Sequence, residues 1–386
     1  MIHFFVKRLE ISPPQGYNYH EEISHRLMQD RRPPMGRKQD FFFSGEPRKR
    51  SSAPRWILGI FLTAIVLLLV INYGVSHQVT YVRQTALVPD LPADLENYVI
   101  LHLSDLHGET LGENQANILS AIGKRSFSCI VFTGDMVGEK GDVEPLLTLI
   151  NQLPKDTPKL LIPGDSDPPL VIETAHDSLS VYASWAVKLQ EAGVTILDEP
   201  VCFTRGKSRV WFVPEYLYTL DVDSTERSYQ AQLDLLNASV NPLTPDEAAR
   251  KRAAEYQVAR MQRIRDIKKD MKATDVQIAV THAPLTESYI RSMALPGGDV
   301  FSLRNVSLIL AGHYAGGQWR LPGLGALYVP EVGFFPPDEQ IVGMDYISGI
   351  PQYISPGLAA SPFYPLPGRL LNGPAVTCVT LSASIQ

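Results

Sequence analysis

Residues 98–108 read YVILHLSDLHG, and residues 129–137 read CIVFTGDMV. Each is a short apolar run that stops at a loop of small and polar residues carrying an aspartate. Tyr98–Leu103 leads into Ser104-Asp105-Leu106-His107-Gly108, and Cys129–Phe132 leads through Thr133 into Gly134-Asp135-Met136-Val137. Apolar runs of four to six residues bounded by turn residues read as strands. Three more follow the same plan. Lys159–Ile162 precedes Gly164-Asp165-Ser166-Asp167, Val276–Val280 precedes Thr281-His282-Ala283-Pro284, and Val306–Leu310 precedes Gly312-His313-Tyr314-Ala315-Gly316-Gly317-Gln318. Residues 112–125 and 143–153 read as helices between the first strands. Strand and helix in alternation predict an α/β fold with a parallel sheet and ligands at the C-terminal strand ends. Runs at 194–203, 210–213, 326–329 and 375–381, with hairpin-like spacing, predict a second sheet.

The tips of the five loops are dominated by Asp, His and Gly. Carboxylate with imidazole is a donor set for Mn, Fe or Zn rather than for Ca or Mg alone. Glycine beside a donor lets the backbone come close. Asp105 and His107 are two apart, so an extended stretch turns both to one side. A lone D-x-H or G-D is usually a turn or cap. Five such loops in order, each at a strand end, favour one metal site.

The order D-x-H, G-D, G-D-S-D, x-H, G-H-Y-A resembles the signature of calcineurin-like metallophosphoesterases, whose pattern is D-x-H, G-D, G-N-H-D, x-H, G-H-x-H. GHYAGGQ at 312–318 is similar to that family's GHTHGGQ, and Tyr353-Ile354-Ser355-Pro356-Gly357-Leu358 resembles a strand of its membrane-associated bacterial branch. The resemblance covers about residues 96–383 apart from a helical insertion. It implies a four-layer sandwich of two mixed β-sheets flanked by helices, and two divalent metal ions whose activated water attacks phosphorus in line. By the same resemblance Asp105 and His107 hold the first ion, Asp135 bridges both, and Asp165, His282 and His313 hold the second. Asp167 matches the carboxylate that follows the family's catalytic histidine and acts through its neighbours.

Three positions depart from the pattern. Asp165 stands where the family has Asn, which adds a negative charge and lowers the net pull on a phosphate anion. Ser166 stands where the family has its catalytic His, which stabilises the transition state or protonates the leaving group, and a serine does neither well; loss of a general acid costs about two to four decades of rate. Ala315 stands where the last His ligates the first ion, so either the first ion binds more weakly than the second or water or a neighbouring group completes its site. His176 and Tyr314 are candidates to make good these losses, His176 as a catalytic group near the leaving group. Two functions therefore compete: hydrolysis of a phosphomonoester, phosphodiester or pyrophosphate, and a binding or regulatory protein that has lost turnover.

One run bears on location. Trp56–Val75 reads WILGIFLTAIVLLLVINYGV, without a charge and long enough to cross a bilayer. Arg37, Lys38, Arg48, Lys49, Arg50 and Arg55 precede it, and only Arg83 occurs in the twenty residues after it. This bias places the N-terminus in the cytoplasm and the main domain outside. The expected organisation is a basic disordered tail over 1–55, a transmembrane helix over 56–75, a juxtamembrane linker over 76–95, and a catalytic domain over 96–386. A charged helical insertion interrupts that domain at about 222–274. The tail has eleven Lys and Arg against six Asp and Glu, which leaves 24 against 35 in the remainder. An acidic domain without a basic stripe excludes general nucleic-acid binding. The expected partners are the lipid bilayer through Trp56–Val75 and a phosphate ester, lipid-linked or envelope-derived. Three dispersed cysteines, Cys129, Cys202 and Cys378, exclude a full disulfide framework. No glycine-rich phosphate loop and no G-x-S-x-G elbow is present.

Overall fold

The computed structural model describes residues 53–175, 179–293 and 299–384. The tail expected over 1–55 lies outside the described residues as far as residue 52, and so does His176. The chain forms helix α1 (Ala53–His77), then strands β1 (Thr80–Leu87) and β2 (Tyr98–Leu103), helix α2 (Ala116–Ile122), β3 (Cys129–Thr133), α3 (Glu144–Ile150), β4 (Lys159–Ile162), α4 (Ser184–Glu191) and β5 (Val194–Ile196). Strands β6 (Val201–Arg205) and β7 (Ser208–Pro214) precede helices α5 (Val222–Asn237) and α6 (Pro245–Asp270), then β8 (Val276–Val280), α7 (Glu287–Met293) and β9 (Val306–Ala311). Four two-residue strands follow: β10 (Arg320–Leu321), β11 (Gly325–Ala326), β12 (Tyr328–Val329) and β13 (Gly333–Phe334). The chain closes with β14 (Gly343–Ile347), β15 (Ile350–Ile354) and β16 (Ala375–Ser382).

Two six-stranded sheets carry the fold, in the orders β1-β16-β2-β3-β4-β5 and β14-β15-β9-β8-β7-β6. Both are mixed: β2 to β5 run parallel with β16 antiparallel to β2, and β7, β8, β9 and β15 run parallel between antiparallel edges. Alternation along each strand sorts side chains onto two faces. Ile100, Val131, Leu160, Ile162, Phe212, Ile278, Val280, Leu308 and Leu310 meet between the sheets. Leu101, Leu103, Ile130, Phe132 and Leu161 turn outward onto Ile118 of α2, Leu146 and Leu149 of α3, and Trp185 and Leu189 of α4. On the far side Trp211 and Val213 pack on Met261 and Ile264 of α6, and Ala279 and Ile309 pack with Ile290 of α7. The result is four layers, helix–sheet–sheet–helix, as expected.

Several boundaries differ from the reading of the sequence. The expected linker contains β1, which pairs in parallel with β16 from Thr80↔Ala375 to Leu87↔Ser382. Its partner is remote in the chain, and as an edge strand it buries little, so its apolar signal is weak. Residues 194–203 divide, with β5 closing the first sheet and β6 opening the second. Strand β16 belongs to the first sheet, and 326–329 contributes to the small β10–β11 and β12–β13 ribbons instead of to a large sheet. Thr244 and Glu247 form a capping box at the start of α6, with Thr244 N–H on Glu247 Oε2 at 2.8 Å. Helix α1 is one helix long and apolar enough to cross a membrane, over Trp56–His77.

Candidate metal centre

Strands β2, β3 and β4 of one sheet and β8 and β9 of the other all end at the same edge of the sandwich, and the loops beyond them converge. Asp105, His107 and Asp135 each offer a ligand atom within 4.8 Å of one another, and so do Asp135, His282 and His313. Asp135 is common to both groups. All five are buried or nearly so, with Asp105 at 0% exposure and Asp135 at 1%. Four of the five, Asp105, His107, Asp135 and His313, hold positive φ between 49° and 75°. Left-handed backbone at residues other than glycine is uncommon and gathers at functional sites, where the surrounding structure enforces it. Asp105, Asp135 and His313 each lie two residues beyond the end of their strand, β2, β3 and β9, where the chain turns sharply. The adjoining glycines make room. A Cβ on Gly164 would fall 2.2 Å from Asp135 Oδ1, and one on Gly134 would fall 2.6 Å from His282 Nδ1.

The imidazoles are oriented in a way that fits metal ions. His282 Nδ1 lies 2.8 Å from the carbonyl of Thr133, which makes Nδ1 the protonated nitrogen. Its Nε2 then faces Asp135 Oδ2 at 3.2 Å and His313 Nδ1 at 3.1 Å. His107 Nδ1 meets Ser166 Oγ at 3.1 Å, and its Nε2 is buried without a hydrogen-bond partner, 3.8 Å from Asp135 Oδ2. His313 Nε2 lies 3.3 Å from Glu331 Oε1. Each ring thus spends one nitrogen on a carbonyl, hydroxyl or carboxylate and turns the other inward, as ligating histidines do. Donors on one ion with bonds near 2.1 Å sit about 3 to 4 Å apart, as do Asp135 and His282 at 3.2 Å, His282 and His313 at 3.1 Å and His107 and Asp135 at 3.8 Å. The residues present fit divalent metal.

The electrostatics agree. Burial alone would push the Asp135 carboxyl up; the His282 hydrogen bond and charge, the Ser166 N–H at 2.8 Å and His107 instead bring it down to about 2. Burial also opposes charge on His282, yet the hydrogen bond to Asp135, with Asp105 and Asp135 close by, raises it to about 9. The pocket attracts positive charge strongly enough to recruit a proton. Asp105 accepts from Ser104 Oγ and from the His313 N–H at 3.1 Å. Arg369 stands behind it, buried, donating to the carbonyls of Pro356, Ala359, Asn372 and Gly373. Burial lowers this guanidinium to about 10, with Asp105 acting against the shift, so it stays charged at neutral pH.

The remaining expected residues fall outside the two groups. Asp165 is 63% exposed at its side chain, with Oδ2 3.6 Å from His313 Nδ1. Asp167 accepts from the backbone N–H groups of Met136, Val137, Gly138 and Gly164, which locks the β3 and β4 loops together. Its carboxylate is consumed by those bonds, so it positions the loops. Ala315 is fully buried, and Tyr314 packs beside His313 with ring centroids 5.5 Å apart. Glu331, Ser104 and Arg369 were not singled out from sequence. Glu331 sits in a small hairpin and Arg369 in an irregular segment, and neither neighbours a motif.

A family model described as calcineurin-like phosphoesterase matches residues 98–316. No curated protein matches the chain. Among solved structures it is similar to the crystal structure of phosphopantetheinyl hydrolase from Mycobacterium tuberculosis. That match has 14% identity and a TM-score of 0.32, over 67% of this chain and 89% of that one.

Proposed function

The chain belongs to the calcineurin-like phosphoesterase family, and from that premise we propose that it is a membrane-anchored, metal-dependent hydrolase of phosphate esters. The observation that carries the proposal is the sharing of Asp135 between two donor groups. Asp105, His107 and Asp135 would hold one ion of Mn, Fe or Zn; Asp135, His282 and His313 would hold the other, with Asp165 available at its open side. When bound, such a pair supplies Lewis acidity toward the phosphoryl group and lowers the pKa of a water nucleophile. The chain's own part is orientation. Ser166, the Thr133 carbonyl and Glu331 fix the three rings, and the Ser104 hydroxyl and the His313 N–H orient the Asp105 side chain. Helix α1 would anchor the domain, with the basic flank on the cytoplasmic side and the domain across the membrane.

A second reading rests on Ser166. Its hydroxyl is committed to His107, and Asp167 is committed to backbone, so neither supplies the proton-transfer group that the family's catalytic histidine would. That favours slow turnover or a binding role. The experiment is hydrolysis of bis-p-nitrophenyl phosphate by the purified full chain with Mn²⁺, beside Asp135→Asn. Metal-dependent turnover, lost in the variant, is expected. Equal rates in both proteins would remove the enzyme assignment and leave the binding role.

A further inference from the structure

Beyond α1, thirteen large apolar side chains are exposed among the described residues, and eight of them lie between residues 321 and 366. Leu321, Leu324, Phe334, Phe335, Phe363 and Leu366 form the bulk, with Phe334 78% and Leu366 64% exposed. Single exposed leucines are ordinary on a soluble surface, whereas a gathered set marks an interaction face.

This set is continuous with the end of α1. The Asn72 carboxamide, one turn from the end of the apolar helix, donates to the Arg369 carbonyl at 3.1 Å and accepts from the Leu371 N–H at 2.7 Å. Leu371 in turn shares the wall of a cleft of about 610 Å³ with Leu321, Leu324 and Phe335. The same segment reaches the metal centre. Leu370 N–H donates to the Gln318 carbonyl, Arg320 N–H donates to the Leu370 carbonyl, and Asn372 donates to the Ala315 carbonyl. At the other end of the set, Phe363 stands 6.0 Å from the His313 ring. One apolar rim therefore runs from the helix exit to the mouth of the centre.

We propose that this rim rests in the bilayer that α1 crosses, so that the metal centre opens onto the membrane surface and takes phosphate esters presented by lipid. The inference rests on the anchor reading of α1. A helix rises 1.5 Å per residue, so Asn72 lies about 8 Å from the helix end at His77. Its partners Arg369 and Leu371 are therefore held at the level of the interface, where aromatic and aliphatic side chains partition into the boundary of headgroup and acyl chain. The sequence has no Lys or Arg between 321 and 366, Arg320 is paired with Asp338, and Arg369 is buried. The contact is apolar, and anionic lipid is not needed for it.

The test places nitroxide labels on the full chain in phosphatidylcholine nanodiscs. Cys202→Ser removes the half-buried thiol, and Cys129 and Cys378 remain buried in the core. Labels at Leu324→Cys, Phe334→Cys and Leu366→Cys report on the rim. A label at Leu67→Cys reports on α1, and one at Val240→Cys, which is 99% exposed on the helical insertion, reports on water. The rim labels are expected to collide with oxygen over a water-soluble nickel chelate at a ratio several-fold above Val240, roughly as for a side chain 5–10 Å into the boundary. If Leu67 reports bilayer while the rim matches Val240, docking is wrong and the anchor stands. If Leu67 also reports water, the anchor reading fails and docking fails with it. Rim labels that are immobilised and shielded from both reagents would instead reveal a protein interface and overturn the proposal.

Discussion

Ser166 shows how one residue can serve two ends. At the position where the family places a proton donor, it hydrogen-bonds His107 and offers its N–H to Asp135. Ser166→Ala keeps the N–H and removes the hydroxyl, so His107 loses the group that fixes its ring. Partners of this kind are worth about 10- to 100-fold in metal affinity. Calorimetric titration with Mn²⁺ should show that weakening at one of two sites, and two unchanged affinities would show that the hydroxyl is idle. Restoring the family residue by Ser166→His would add a proton donor while removing this support, so its effect on rate is smaller than the donor alone would give. His282 carries the pH dependence of the metal-free protein. Its folded pKa, about 9, lies above the ordinary 6.5. The stabilisation is therefore complete below pH 6.5 and is lost as pH rises through 9. After chelation, the melting temperature should fall between pH 7 and 9. With Mn²⁺ bound in place of the proton, that fall should vanish. A flat profile without metal would mean that Asp135 does not hold the proton on His282.

At the scale of elements, the insertion is fastened at its exit. Asp275, 4% exposed at its side chain, accepts from Arg209 Nε and Nη2, from Trp211 Nε1 and from the Lys272 N–H. It ties β7 to the turn between α6 and β8. Asp275→Asn keeps the shape and leaves the Arg209 guanidinium with only the exposed Asp270 as charge partner, at a cost of about 2 kcal/mol. Urea denaturation would read this as a lower midpoint at unchanged slope; a change under about 0.5 kcal/mol would mean that Asp270 takes over the arginine. The same scale explains what the sequence could and could not disclose. Strands β2, β3, β4, β8 and β9 are covered on both faces, so each reads as a mostly apolar run, with His102, Lys159, Gln277 and Ser307 as exceptions, and the Asp, His and Gly beyond them stand out against it. Strand β1 carries Arg83 and Gln84 at its middle, lies at a sheet edge and pairs with a strand nearly 300 residues away. Nothing local marks it. Glu331 and Arg369 reach the centre only by tertiary folding, from a hairpin and an irregular segment. The outward turn of Asp165 depends on loop geometry that its neighbours in the chain do not specify.

At the scale of the whole molecule, the segment 369–373 joins parts that are far apart in sequence. Arg369 faces the field of Asp105, Leu370 pairs with the backbone of Gln318 and Arg320, Asn372 holds the Ala315 carbonyl, and Leu371 meets Asn72 of α1. A helix suited to a bilayer is thereby two hydrogen bonds from the loop that carries His313. An asparagine inside an apolar helix is costly unless its carboxamide is satisfied, and here both its ends are. Asn72→Ala would free the Leu371 N–H while leaving the donors of the centre untouched. Losing one such bond is worth about 1 kcal/mol, so the Leu371 amide should exchange with solvent roughly fivefold faster. Exchange of Leu310 and Val280, deep in the second sheet, should not change. Mass spectrometry of the full chain in nanodiscs can read both regions together. Faster exchange throughout the second sheet would mean that α1 supports the domain as a whole. Faster exchange confined to 369–373 and 315–320 would establish that the helix is coupled to the mouth of the centre and to little else, which is the arrangement a hydrolase working at its own membrane requires.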